Sequence, residues 1–100
     1  MNEQQLLVMM VPGDIRDDVI DTLMGSEGIS GFNMTTMAGY GKEHSQYDLR
    51  EQVEGYRQYF KFEVMHTAEQ RVALLALLRP VCAAANIRYW IVPVLEQGHI

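Results

Sequence analysis

The chain has 100 residues, 48% hydrophobic and 21% charged, a balance that gives one globular domain over residues 1–100 and excludes disorder throughout. A net charge of −5 and a pI near 5.0 argue against nucleic-acid binding, which draws its affinity from clustered Lys and Arg. No apolar run approaches the roughly 20 residues of a membrane span, no basic segment precedes Leu6 as a signal peptide requires, and the lone Cys82 can form no internal disulfide, so a cytoplasmic protein without membrane insertion is expected.

Gln5 to Val11 reads as a strand that is apolar on both parities, the pattern of a central strand covered on two faces. After the Pro12-Gly13 break, Asp14 is the expected N-cap of a first helix, with Asp17 and Asp18 in its first turn and Ile15, Val19 and Leu23 at helical spacing. Gly25, Ser26 and Gly28 then stop it. Gly31 to Ala38 is the second strand. From Tyr56 a third strand follows, one parity carrying Gln58, Phe60, Phe62 and Val64 and the other Arg57, Tyr59, Lys61, Glu63 and Met65.

Thr67 and Gln70 fit a capping box. The second helix behind it is expected to bury a broad stripe of Val72, Leu74, Leu75, Leu77, Leu78 and Val81, with Pro80 bending or shortening its last turns. Ile87 to Leu95 is the fourth strand, and Pro93 assigns it to a sheet edge. The order β-α-β-loop-β-α-β predicts an α+β, ferredoxin-like βαββαβ fold, an antiparallel sheet with two helices on one face. The opposite face would then expose Tyr59, Met65, Trp90 and half of the first strand. An apolar patch of that kind points to self-association, closed as a ring.

The connection from Gly39 to Gly55 is polar and too long for a hairpin turn, since structureless loops beyond about 12–15 residues are mostly working loops. Its charges, Lys42, Glu43, Asp48, Arg50, Glu51 and Glu54, are of mixed sign and suit a docking surface. Gly39 and Gly41 around Tyr40 would allow close backbone approach at the loop root. His44, His66, His99 and seven Met raise a copper-type metal site, but Met9, Met34, Met65 and Met24 fall where Met fills a core, which leaves His44 beside Glu43 as the best single ligand. Cys82, in an Ala-rich helical stretch, reads as packing. Asp14, Asp17, Asp18 and Asp21 read as caps and a solvated face. No Ser-His-Asp, Cys-His, metal-hydrolase or Walker-type arrangement occurs, so an enzyme is not expected.

The two-half layout, Gly39-Tyr40-Gly41-Lys42, the exit strand Tyr59-Phe60-Lys61-Phe62-Glu63-Val64 and the closing Ile91-Val92-Pro93-Val94-Leu95-Glu96 resemble the PII signalling superfamily. Gly28-Ile29-Ser30-Gly31-Phe32, Glu43-His44, Glu51-Gln52-Val53 and the stretch from Tyr89-Trp90 to Leu95-Glu96 resemble, more closely, short bacterial PII-like proteins of poorly defined function. The resemblance implies a homotrimer whose loop corresponds to the PII T-loop, with ligand clefts between subunits. It implies ligand contacts from Gly39, Tyr40, Gly41, Lys42 and Arg88, and partner contacts from Glu43, His44, Tyr47, Arg50 and Gln52. The closer group is associated with heavy-metal efflux pumps, which makes a membrane transporter the implied partner. Adenine nucleotide is the ligand PII proteins hold on a Gly-rich segment before the last strand. Here that segment is Ala83-Ala84-Ala85-Asn86-Ile87-Arg88, without glycine, which weighs against the nucleotide.

The expected function is therefore a trimeric PII-like regulator that senses a small ligand and signals to a transporter through residues 40–55. A CutA-like metal-binding or metal-tolerance protein is the alternative. A purely structural interaction module is the third reading.

Overall fold

A computed structural model describes residues 3–41 and 57–100. The elements are β1 (Gln4–Pro12), a 3-10 turn (Gly13–Ile15), α1 (Arg16–Met24), β2 (Phe32–Gly39), β3 (Arg57–Thr67), a 3-10 turn (Ala68–Gln70), α2 (Arg71–Cys82), a 3-10 turn (Ala83–Ala85) and β4 (Arg88–Val94). The strands form one sheet in the order β2-β3-β1-β4, and each neighbouring pair is antiparallel. This is the expected ferredoxin-like arrangement.

Sequence alternation assigns the two faces. Leu7, Met9 and Val11 stand opposite Val64, Phe62 and Phe60, and they join Val19 and Leu23 of α1 and Leu74 and Leu78 of α2 in one buried cluster. That is the helix-covered face. The other parity of β1 places Leu6 between Met65 and Val92, Val8 between Glu63 and Trp90, and Met10 between Lys61 and Arg88. Neither helix covers it. β1 therefore reads as apolar on both parities because one side lines the core and the other an open sheet face.

β4 is an edge strand as Pro93 requires, its one described neighbour being β1. The capping box forms, with Gln70 N–H donating to Thr67 Oγ1 at 3.3 Å and Thr67 N–H to Gln70 Oε1 at 2.9 Å. Its place is the 3-10 turn that leads into α2. Gln70 Nε2 also donates to the Gly28 carbonyl at 2.9 Å, so one side chain ties the start of α2 to the α1–β2 connection.

Three expectations are corrected. Asp14 does not cap α1, because the chain leaves Pro12-Gly13 through a 3-10 turn and the N-cap falls on Ile15, which has no side-chain cap bond. The stripe of α2 is narrower than six residues: Leu74 and Leu78 are buried, Leu75 and Val81 pack beside them, and Val72 is 73% exposed. At 100° per residue, position 72 stands across the helix from position 74. Pro80 also does not shorten the helix, which continues to Cys82. Pro80 is exposed, so the backbone bond it removes lies on the solvent side.

Candidate functional site

β2 ends at Gly39, where the long connection begins. A Cβ on Gly39 would run into the ring of Tyr59, which lies diagonally across β3 because Met37 pairs with Tyr59 and Gly39 with Arg57. Gly39 is thus required by space rather than by backbone conformation. The guanidinium of Arg57 lies 5.5 Å from the centroid of the Tyr59 ring, in the range of a cation–π contact. The loop root is therefore a packed aromatic step, with Tyr40 beyond it 77% exposed.

Gly39→Ala is expected to lower stability by about 1–2 kcal/mol through overpacking against Tyr59. Gly31→Ala, whose added methyl meets nothing within 4 Å, is the control. Urea denaturation of both reads the effect, and equal midpoints would remove the steric role of Gly39.

Arg88 opens β4 at the other edge of the sheet, 5.7 Å over Trp90. It shares the cross-strand row of Met10, Lys61 and Thr35, whereas Gly39 shares that of Arg57. Three strand spacings and four residues separate the rows, about 20 Å at standard sheet dimensions. One chain therefore does not bring Arg88 onto the same small ligand as Gly39, Tyr40 and Gly41. The remaining expected contacts, Lys42, Glu43, His44, Tyr47, Arg50 and Gln52, lie outside the described residues.

Among the described residues no group of three or more His, Cys, Asp and Glu could hold a metal. His66 is buried on the helix-covered face, with Nδ1 at 3.1 Å from the Val64 carbonyl and Nε2 at 3.2 Å from Gln5 Oε1. Both ring nitrogens are thus engaged within the fold, and the side chain lines a crevice with Gln70, Leu74, Leu77 and Ile29. Met9 is core as expected. Met24 and Met34 are instead exposed, because Met24 ends α1 and Met34 stands on the edge strand β2.

The segment before β4 closes α2 with a 3-10 turn and places Asn86 in the left-handed region at φ 50°. Asparagine is among the few non-glycine residues that adopt it readily. Glycine-like geometry is therefore reached without a glycine. Cys82 is half-buried and packs against the core cluster. Burial pushes its thiol above the ordinary value of 9.0, which keeps it protonated and poorly nucleophilic near neutrality.

The model of the family DUF3240, described as a protein of unknown function, matches residues 1–100. The chain belongs to the DUF3240 family. A crystal structure of a DUF3240 protein from Shewanella baltica shares 40% identity over 100% of this chain and 99% of that one, with a TM-score of 0.83. A Bacillus cereus protein related to NIF3 is similar at 14% identity and TM-score 0.73, over 98% of this chain but 27% of its own. Arabidopsis thaliana PII bound to citrate is similar at 14% identity and TM-score 0.70, over 93% of this chain and 78% of its own. At those lower identities the likeness is one of fold. Among curated proteins none matches the chain. The family thus shares a PII-like fold, and no helix among the described residues is long and apolar enough to cross a membrane.

Proposed function

We propose that this DUF3240 protein is a PII-like regulator. It associates through its open sheet face into a homotrimer, takes a small ligand at the clefts between subunits, and acts on a membrane transporter of the heavy-metal efflux type through residues 40–55. The observation that carries this reading is the separation of Arg88 from Gly39, Tyr40 and Gly41 on opposite sheet edges. Within one subunit they are too far apart for one ligand. A ring that sets the β4 edge of one subunit beside the β2 edge of the next joins the two halves. The apolar face of Leu6, Val8, Met10, Met65, Trp90 and Val92 supplies the driving force for such a ring.

Sedimentation velocity at micromolar concentration is expected to give a trimer. Calorimetric titration with ATP, ADP, AMP, citrate, copper and zinc then identifies the ligand class, citrate being included because the similar Arabidopsis PII is bound to it. Binding of an anionic member is expected in the wild type and is weakened about tenfold or more in Arg88→Ala, as for loss of a charge-assisted hydrogen bond. A monomer, or titrations equal in both proteins, overturns the reading.

A further inference from the structure

The helix-covered side of the sheet holds a second recess, lined by residues of one subunit. It is a cleft of about 270 Å³ between the C-terminal half of α2 and strands β1 and β4, just below the ~300–1,000 Å³ of drug-sized ligand sites. Met9, Leu78, Leu75 and Ile87 make an apolar floor, and Cys82 stands in the wall. Around the mouth are Arg79, Asn86 and Tyr89. Among the described residues none of these three side chains has a hydrogen-bond or ionic partner.

The local charge is the reverse of that of the whole chain. From Arg71 to Arg88 the sequence carries three Arg and no Asp or Glu, in a protein of net charge −5. The C-terminal end of α2 brings about half a negative charge to the region. Arg79, a full positive charge in the last turn, outweighs it. The left-handed backbone at Asn86 turns the chain at the cleft, where Asn86 is one of the lining residues.

We propose that this cleft is a binding site for a small amphipathic anion, with an apolar chain or ring against Met9, Leu78 and Ile87 and an acidic head at Arg79, Asn86 and the Tyr89 hydroxyl. The floor offers hydrophobic burial with no charge to desolvate. The mouth offers donors that have no partner among the described residues. A cationic amphiphile of the same length meets Arg79 instead and is rejected.

Cys82 is the only cysteine in the chain and lies in the cleft wall, so its alkylation reports occupancy. The full-length protein is treated with iodoacetamide at pH 8.5, alone or with decanoate or decyltrimethylammonium below their micelle concentrations, and labelling is followed by intact mass. Decanoate at about ten times its Kd is expected to slow labelling about tenfold by mass action, and decyltrimethylammonium less than about twofold at the same concentration. Exposed Arg79, changed as Arg79→Glu, is expected to weaken decanoate protection about tenfold, with circular dichroism confirming the fold. Equal protection by the two amphiphiles, equal protection in the two proteins, or no protection at millimolar decanoate each overturns the proposal.

Discussion

Phe62→Ala is expected to cost about 3–5 kcal/mol, the range for emptying a fully buried aromatic site. Phe62 lies at the middle of β3 on the helix-covered face, directly opposite Met9 of β1 and Met34 of β2. It has no exposed surface, and its ring stands 5.9 Å from that of Phe32, tilted by 30°. The side chains of α1 and α2 meet the sheet in the same cluster. A cavity there loosens both helices at once, and surrounding strands fixed by ladder bonds on two sides cannot collapse into it. Against a typical total stability of about 5–15 kcal/mol, the loss removes a large part of the native margin. Urea denaturation measures it. Met34→Ala, at an exposed edge position on the same cross-strand row, should cost much less, and similar midpoints for the two variants would show that the core is not centred on Phe62.

β3 shows why so much of the fold was legible. Its apolar parity runs Phe60, Phe62, Val64 without interruption, and strand geometry sends every second side chain to one side, so a single strand declares the face. The capping box at Thr67 and Gln70 was equally local, since both partners lie within one turn. Asp14 misled because an N-cap is judged from the residues after it, whereas the preceding Pro12-Gly13 turn fixed where helical geometry began. Val72 is apolar but exposed, because angle around the helix and not apolar content decides which side chains α2 buries. The site was legible only in part. Arg88 and Gly39 are set apart by pairing register, which is a property of strands far apart in sequence. Gly39 is demanded by Tyr59 across the ladder, and no local pattern announces that. The recess beside Cys82 arises from the way α2 lies over β1 and β4, so the sequence offered only its acid-free stretch as a signal.

Reversing one charge on the open sheet face is expected to abolish self-association under the proposed reading. Lys61 and Glu63 lie two residues apart on that face, half-buried, in rows shared with Met10 and Arg88 and with Val8 and Trp90. Among the described residues neither forms an ion pair. Val8 is only 6% exposed while Trp90 remains 41% exposed, so the face already shields its centre and leaves its flank for a partner. At the centre of the face Lys61 and Glu63 present one positive and one negative side chain from each copy, with Arg88 beside them on β4, and this pair selects the registers in which unlike charges meet. Lys61→Glu leaves two carboxylates at the centre of the face, and Glu63→Lys puts two ammonium groups there beside the Arg88 guanidinium. Either variant alone is expected to sediment as a monomer, because like charges buried together cost several kcal/mol. The charge-swapped double variant Lys61→Glu/Glu63→Lys restores one charge of each sign at this pair in every copy, and an oligomer of the wild-type mass is expected. Circular dichroism separates loss of assembly from loss of fold. If both single variants sediment as the wild type does, the subunits meet through another surface, and the joining of Arg88 to the Gly39 edge must be sought there.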